Sequence, residues 1–524
     1  MSAPCPYCHY PRSSDDGPIC KSKDTTACAP CRKVADLDEE IHTLRKKIVE
    51  LEERRRQWKT QMNASHDGLT RKIPVEVMAE IFELCLPEDV CSLDMQYRLR
   101  MHVLGMPLIL SAVSQRWRQI AQASPRLWSD VPVRILDRNI PSLPDLVHDW
   151  IERSGQRPLS INIHTARNSK CANGVIKVLN NYASRWKNLA FSGDWLALCN
   201  FASDIEGVSN IQTLSLKAGV GKSRQKSGKF DLKKFIVQPK TLVVEPIIFG
   251  AINIDWSYLT ELEASTESAY ECVQVVRLAP LLKKCKFSTS SQYVFQPSVA
   301  PPNPFLHPRI EELIVLGRRC GTLFDYFRCP ALQKLTFGHC HHPGTMDKIV
   351  YFLQQSMCSI TNLTTYRMQL QTPDTDIYLL CQAIPTLQHL SIDSRSMSLF
   401  PTEFDTYRKS PIGHLFPLLA QGSTTKGNQT PYLPELRSLI ISDSILLPWS
   451  TDFWNTFLSI YSARTKLDSV MLFSDRTSIP EIGPGSLVET CDENTRRKFL
   501  ALKEKGVKVK VPHPKTGKDL MLLL

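Results

Sequence analysis

The sequence predicts an α/β protein in which a helical N-terminal part precedes a long array of short, repeating strand units. Apolar residues recur at helical spacing within residues 34–129, whereas segments of the form L-x-x-L-x-L recur between residues 186 and 472. The 524 residues are 42% hydrophobic and 22% charged, which is typical of a globular chain and not of a disordered one. A chain of this length can bury a large core and can hold more than one structural unit.

A heptad pattern over residues 34–62 predicts the first helix. Ile41 and Ile48 take the a positions, and Leu44 and Leu51 take the d positions, an arrangement that favours two parallel helices in a coiled coil. We therefore expect this helix to pair with a second copy of the chain, as a homodimer. The alternative is a single amphipathic helix that packs on its own protein.

Residues 1–33 are rich in Cys, Pro, Ser and Asp and are expected to form a flexible tail or a small zinc site. Two Cys-x2-Cys pairs, Cys5 with Cys8 and Cys28 with Cys31, have the spacing of a tetrathiolate zinc site. Reduced thiols in a flexible tail are the alternative, because few nearby hydrophobic residues would form a core around the ion. Apart from this structural zinc, the sequence predicts no cofactor.

Residues 69–129 contain a helical motif that begins at Ile73 and Pro74 and continues after a long interlude, residues 87–107. The segment IPVEVMAEIFEL holds more apolar residues than a short helix with one buried face needs, which raises the question of what covers them. Together with LSAVSQRWRQIA and SPRLW, this segment resembles the F-box. The residues that carry the resemblance are Ile73, Pro74, Glu76, Ile81, Phe82, Val113, Ser114, Trp117, Arg118, Leu127 and Trp128.

The resemblance implies what covers the apolar residues. An F-box is a small set of helices whose exposed apolar face docks on the Skp adaptor of an SCF ubiquitin ligase, and exposed apolar patches generally mark interaction sites. Ordinary core packing is the alternative for each residue, above all for Trp117. The residues expected at the adaptor surface are Ile73, Pro74, Val77, Ile81, Val113 and Trp117.

Residues 140–524 contain the repeated strand units, and longer gaps, as between Leu390 and Leu439, predict units that the pattern misses. The array resembles irregular leucine-rich repeats, a solenoid in which each unit buries a face only against its neighbours. The consensus Asn or Cys appears only at Cys340, so a side-chain ladder is not expected. A parallel α/β sheet of another topology is the alternative. The units are WKNLAF (186–191), IQTLSL (211–216), LTELEA (259–264), IEELIV (310–315), LQKLTF (332–337), LQHLSI (387–392), LRSLII (436–441) and LDSVML (467–472).

Residues suited to enzyme chemistry are sparse. The segment AGVGKS (218–223) lacks the first glycine of a phosphate-binding loop, because Leu216 stands at that position. The segment GHCHHPG (338–344) offers metal-ligand residue types, but no second pair stands at zinc-finger spacing. Because no nucleophile–base pair stands out either, the sequence predicts a non-catalytic protein.

The charge and the termini bear on partners and location. The formal charge is +12, but the basic residues concentrate in 217–240 and 496–518, where aromatic residues that could stack on bases are sparse. Nucleic acid is therefore not an expected partner. No secretory signal and no long apolar run is seen, so no membrane contact is expected, the location is expected to be cytoplasmic or nuclear, and the seventeen cysteines are expected to be reduced.

These observations predict the substrate-recognition subunit of an SCF-type (cullin–RING) ubiquitin ligase, similar to the F-box proteins of fungi. The F-box would bind the Skp adaptor, and the repeats would bind a target protein whose identity the sequence does not contain. An interaction scaffold outside ubiquitin conjugation is the alternative. A zinc-dependent DNA-binding regulator is a third hypothesis, which depends on the N-terminal cysteines alone.

Overall fold

The structure is a computed structural model of the whole chain. Its helices and strands alternate in a mixed α/β arrangement, and none of the described helices is both long enough and apolar enough to cross a membrane. The residues that the structure describes are 29–66, 72–86, 105–135, 141–165, 170–219, 229–245, 249–265, 269–288, 304–317, 320–338, 344–366, 373–393, 411–420, 432–443, 451–464, 466–474, 493–504 and 508–510.

The chain divides into two compact units. Unit 1 comprises the described residues up to Leu86 together with Gly105–Ala123, and unit 2 comprises the described residues from Ser124 onward. The boundary therefore falls inside the range 69–129 that the F-box resemblance covers. Unit 1 is helical, and its helices are Ala29–His66 (α1), Val75–Leu84 (α2), Met106–Val113 (α3) and Gln115–Gln122 (α4).

Unit 2 is built around one large parallel sheet. Among the described residues, fourteen strands follow one another in the sheet in the same order as in the sequence. They are Asp130–Ile135 (β1), Leu159–Thr165 (β2), Trp186–Asp194 (β3), Thr213–Gly219 (β5), Thr241–Glu245 (β7), Glu261–Ser265 (β8), Lys284–Ser288 (β9), Glu312–Leu316 (β11), Lys334–Gly338 (β13), Asn362–Tyr366 (β14), His389–Asp393 (β15), Ser438–Asp443 (β16), Ser469–Ser474 (β17) and Lys508–Lys510 (β18).

Helices and short strands complete unit 2. Two small parallel pairs join Gly207–Val208 (β4) to Phe235–Ile236 (β6) and Phe305–Leu306 (β10) to Phe327–Arg328 (β12). The helices connect successive strands, as parallel strands require. They are Leu143–Arg153 (α5), Lys170–Asn180 (α6), Trp195–Leu198 (α7), Ala269–Leu278 (α8), Thr345–Ser356 (α9), Pro373–Ala383 (α10), Pro411–Ala420 (α11), Thr451–Ala463 (α12) and Glu493–Glu504 (α13).

The register of the sheet aligns the leucines of the repeats in one buried row. Leu313 of β11 lies opposite Leu335 of β13, which lies opposite Leu363 of β14, and the row continues on both sides. Because side chains alternate along a strand, this row and the one two residues later enter the core while the intervening residues face the other way. The members of the first row from β5 to β17 are Leu214, Leu242, Leu262, Cys285, Leu313, Leu335, Leu363, Leu390, Leu439 and Val470.

A ladder of backbone hydrogen bonds stacks each strand start on the one before it. The carbonyl oxygen of the residue just before a strand accepts N–H groups from two successive residues at the start of the next strand; Thr260, for example, accepts from Lys283 and Lys284. This ladder needs no asparagine side chain, which explains how the units stack without the consensus Asn. The accepting residues are Gln212, Lys240, Thr260, Lys283, Glu311, Gln333, Thr361, Gln388 and Arg437.

All eight predicted repeat segments overlap strands of this sheet. The longer gaps hold β7, β9 and β14, which the L-x-x-L-x-L pattern missed. One expectation is wrong: β15 and β16 pair directly, so no missed strand stands between Leu390 and Leu439 in the sheet. The longer connection there contains helix α11 instead.

Candidate interaction surface

The local sequence explains where α2 begins. Pro74 occupies the N-cap position and lacks an N–H, and its carbonyl accepts the first helical hydrogen bond from Met78 N–H at 3.1 Å. Glu76 lies in the first turn, where the positive end of the helix dipole favours an acid. The helix thus starts where the Ile-Pro-x-Glu pattern predicts it.

The apolar residues of α2 divide into a buried face and an exposed stripe. Met78 and Phe82 are buried in unit 1, whereas Val77, Ile81 and Leu84 are exposed. The exposed three are spaced i, i+4 and i+7, so they lie on one face of the helix. We call Val77, Ile81 and Leu84 the α2 stripe. Its presence answers the question that the over-apolar sequence raised, since no described residue of this chain covers it.

Other residues of the F-box-like motif lie at the junction between α3 and α4. Ser114 is extended and caps α4, because its Oγ accepts a hydrogen bond from Trp117 N–H at 3.1 Å. Arg118 Nε donates to the carbonyl oxygen of Ser111 at 3.0 Å, which holds the two helices together. The Trp117 ring lies 4.8 Å from the Phe82 ring, centroid to centroid. Trp117 is half-buried, so it takes part in the packing of unit 1 as well as in its surface.

The predicted adaptor residues therefore fall into different environments. Pro74, Val77, Ile81 and Val113 are exposed, and Ile73 is half-buried like Trp117. The motif comparison did not select four further residues that are large, apolar and exposed in helices α2 and α3. Helical periodicity could have found Leu84, which continues the i, i+4, i+7 spacing from Val77. The four are Val75, Leu84, Leu108 and Ile109.

The heptad helix α1 is a second apolar surface. It runs unbroken from Ala29 to His66, and every side chain described between residues 33 and 62 is exposed. The predicted seam residues Ile41, Leu44, Ile48 and Leu51 are each about half exposed, between 45% and 55%. The alternative in which this helix packs on its own chain finds no support among the described residues.

The outward face of the unit 2 sheet changes in chemistry along its length. Ion pairs join neighbouring strands in its earlier part: Lys284 Nζ lies 3.4 Å from Glu261 Oε1, and Lys286 pairs with Glu263. Further along, the corresponding positions are uncharged, with Thr364, Ser391, Ile440 and Met471 in register across β14 to β17. A protein that binds along this uncharged row would break no ion pair within it.

The candidate zinc ligands fall largely outside the described residues. Cys5, Cys8 and Cys28 lie there, and Cys31 lies in the first turn of α1. Elsewhere, within the described ranges, no three His, Cys, Asp or Glu side chains are placed to hold a metal ion. The segment 339–343, which carries the His and Cys residues of GHCHHPG, also lies outside them. Elemental analysis of zinc-replete protein, with Cys8→Ser and Cys31→Ser as the comparison, tests the zinc hypothesis.

No protein-family model matches the chain, and no curated protein matches it. The function of this chain is therefore inferred from its residues and their environments.

Proposed function

We propose that the chain is the substrate-recognition subunit of an SCF-type ubiquitin ligase. In this proposal residues 69–129 are an F-box that binds the Skp adaptor, and residues 140–524 are an irregular leucine-rich-repeat solenoid that binds a target protein. The chain itself has no catalytic step. Catalysis would gain from proximity, because a lysine of the bound target would meet the ubiquitin-charged enzyme at a high effective concentration.

The observation that carries the proposal is the exposed α2 stripe. Two branched aliphatic side chains and Leu84, which is 85% exposed, stand on one face of a ten-residue helix. Leaving that much apolar surface in water is unfavourable by about 25 cal/mol per Å², so a partner that covers it gains free energy. The stripe lies on the helix that carries the Ile-Pro-x-Glu motif, which is where the F-box resemblance places the adaptor.

Charge placed in the α2 stripe tests adaptor binding. Val77→Asp together with Ile81→Asp should abolish co-purification of the Skp adaptor, because two carboxylates would be buried unpaired in an apolar interface. Val75→Asp is a matched control. Val75 is exposed to 40%, close to the 42% of Val77 and the 39% of Ile81, but lies on a different face of the same helix. An acid there also suits the first turn of the helix.

The readout is the amount of adaptor recovered with each variant, alongside circular dichroism to show that the helices are intact. The proposal predicts wild-type recovery for Val75→Asp and loss for the double variant. Wild-type recovery with the double variant would show that the α2 stripe does not bind the adaptor. Loss of the adaptor with the Val75→Asp control as well as with the double variant would point to a different surface of unit 1.

The order of the strands supports the repeat interpretation of unit 2. Sequential parallel pairing, one aligned leucine row and a backbone ladder that recurs at each strand start are the features expected of stacked repeats. The outward sheet face would bind the target, and the region around its uncharged row of Thr364, Ser391, Ile440 and Met471 is the most suitable. Affinity capture followed by mass spectrometry would identify the target. A protein captured both by wild type and by the Val77→Asp, Ile81→Asp variant, which should not bind the adaptor, would be a target that depends on unit 2 alone.

We further propose that α1 pairs with α1 of a second copy. The seam residues are exposed, and in a parallel pair Glu40 would face the partner's Arg45 while Lys47 would face the partner's Glu52. In the structure Lys47 Nζ lies 2.8 Å from Glu50 of its own helix. Such exposed pairs contribute little to stability, so Lys47 can exchange partners at small cost.

Charges in the seam test this pairing. Leu44→Glu with Leu51→Glu would bury like charges between the helices, and sedimentation at micromolar concentration should then show a monomer where wild type is a dimer. His42→Glu with Val49→Glu is the matched control, since it adds the same residues at the same seven-residue spacing outside the seam. The control should remain a dimer, and both variants should still bind the adaptor. A monomeric wild-type protein would contradict the pairing.

A further inference from the structure

The turns that precede the strands of unit 2 share one buried position. Five residues before β9, β11, β13, β15, β16 and β17, a side chain enters the core and is at most 3% exposed. In five of these turns the carbonyl oxygen of that residue accepts a hydrogen bond from the leucine N–H three residues later. The six residues are Ala279, His307, Cys329, Ile384, Leu433 and Arg464.

Two of these six residues, His307 and Arg464, are strongly polar, and they differ in their hydrogen-bond partners. His307 Nε2 lies 3.1 Å from the carbonyl oxygen of Ala279, and its Nδ1 accepts from Arg309 N–H at 3.3 Å. A neutral imidazole is therefore fully satisfied there. Arg464 has no such partners: its Nε, Nη1 and Nη2 atoms are buried without a hydrogen-bond acceptor among the described residues.

An unpaired guanidinium in the core is a costly arrangement. Arginine keeps its proton at any ordinary pH, so Arg464 cannot become neutral as His307 does. Burying a charge without a counter-charge is strongly unfavourable. Within the described part of unit 2, no carboxylate forms an ion pair with Arg464. The fold thus provides a buried positive charge and five N–H donors with nothing in the described chain to receive them.

A second unpartnered donor belongs to the same helical turn as Arg464. Arg464 N–H donates to the carbonyl oxygen of Ile460 at 2.8 Å, so the turn of α12 continues through Arg464. Tyr461 is three residues earlier, which places its side chain on the same helix face. Its hydroxyl is buried without a hydrogen-bond partner among the described residues. Burial raises the pKa of Tyr461, so the hydroxyl keeps its proton and can donate.

Among the described residues, the group that interacts electrostatically with Arg464 is a thiol and not a carboxylate. The Cys381 thiol lies within electrostatic range of Arg464, and burial raises the pKa of Cys381 to about 12, so the thiol stays neutral. Cys381 is also within range of Tyr432, which hydrogen bonds with Tyr378. The rings of Tyr378 and Tyr432 are 5.3 Å apart, and Tyr378 is exposed.

We infer that Arg464 and the Tyr461 hydroxyl form a binding site for an oxyanion, a phosphate or a carboxylate group. The guanidinium fork matches two oxygens of such a group, and bidentate pairs of this kind are among the stronger hydrogen-bonded interactions. A bound oxyanion would supply the missing counter-charge and accept from both unpartnered donors. This inference concerns unit 2 alone and does not depend on adaptor binding.

Thermal unfolding with added anions tests the inference. We expect inorganic phosphate, compared with sodium chloride at equal ionic strength, to raise the Tm of the wild-type protein saturably, by about 1–4 °C. Arg464→Leu, which introduces the residue type found at Leu433, should show no such rise. Arg437→Leu is the matched control, because Arg437 is an exposed arginine just before β16, and it should respond as wild type does.

Two further arms make the test specific. Tyr461→Phe should raise the half-saturating phosphate concentration several-fold, since one donor is lost. Sodium acetate in place of phosphate distinguishes the source: a saturable rise with acetate alone identifies a carboxylate site, and one with phosphate alone identifies a phosphate site. If Arg464→Leu does not fold, Arg464→Lys carries the test, with a several-fold weaker response expected. A wild-type protein insensitive to both anions, or an Arg464 variant that responds as wild type, would overturn the inference.

Discussion

Some leucine side chains are exposed in the helices of unit 1, whereas the leucines of the repeat row are buried in the strands of unit 2. In unit 1, Leu84 and Leu108 are more than half exposed, at 85% and 52%. In unit 2, Leu313, Leu335 and Leu363 are each 1% exposed, in one row that runs across neighbouring strands. The two regions differ in whether a repeating neighbour along the chain packs against each element.

A strand of unit 2 is covered because the next repeat along the sequence supplies the strand that lies beside it. The residues at each strand start donate backbone hydrogen bonds to the preceding strand and accept them from the next one. These bonds set the register of the strands and so align the side chains of the leucine row. The short helices of unit 1 have no such repeating neighbour within the described residues. Their surplus apolar residues stay exposed, which is the property of a surface that functions with a partner.

The largest expected effect comes from truncating a leucine in each region. Leu335→Ala should destabilise unit 2 by about 2–5 kcal/mol, because it removes buried surface and leaves a cavity. Leu84→Ala should change the stability of the free protein by no more than about 0.5 kcal/mol, because it removes exposed atoms. Urea unfolding followed by circular dichroism measures both. Equal shifts in the two midpoints would contradict the distinction between the regions.

A smaller effect is expected from adding a methyl group where two strands approach closely. A Cβ at Gly338 in β13 would lie 2.5 Å from the Tyr366 Cβ and 2.6 Å from the Tyr366 carbonyl oxygen of β14. Gly338→Ala should therefore cost about 1–3 kcal/mol, since neither atom can move without shifting the strand. Gly250→Ala is the control, because a Cβ there would meet nothing within 4 Å. A Gly338→Ala protein with the wild-type unfolding midpoint would show that the strand packing is looser than described.

The smallest effect concerns the pH dependence of unit 2. Burial lowers the pKa of His307 below its ordinary value of 6.5, so the unfolded chain binds a proton that the folded chain resists. The contribution of His307 to stability is complete above pH 6.5 and is lost as the pH falls towards the folded-state pKa. The slope from one such group is at most about 1.4 kcal/mol per pH unit.

Unfolding midpoints at about pH 7.5 and about pH 5.5 measure this loss. His307→Leu should make the decline shallower without removing it, because burial also lowers the pKa of His164. An unchanged decline in the variant would assign the pH dependence to other groups.

Parts of the fold could be predicted from local patterns because those patterns are physical. The heptads specify a helix whose seam repeats every seven residues, and α1 spans the whole predicted range 34–62. The Ile-Pro-x-Glu pattern specifies the start of α2, and Ser114 specifies the cap of α4. The strands β9 and β14 were missed because Cys285 and the threonines of NLTTY depart from the leucine pattern, although their neighbours in the sheet still bury them.

The sequence by itself determined helix α1, the start of α2 and the eight strands that carry the L-x-x-L-x-L pattern, because periodicity acts over a few residues. Only the tertiary structure decided that β15 pairs directly with β16, that Val77, Ile81 and Leu84 remain exposed, and that Arg464 is buried with no counter-charge in the described part of the chain. Burial and pairing depend on neighbours that are distant along the chain. A residue's own type and spacing do not contain that information.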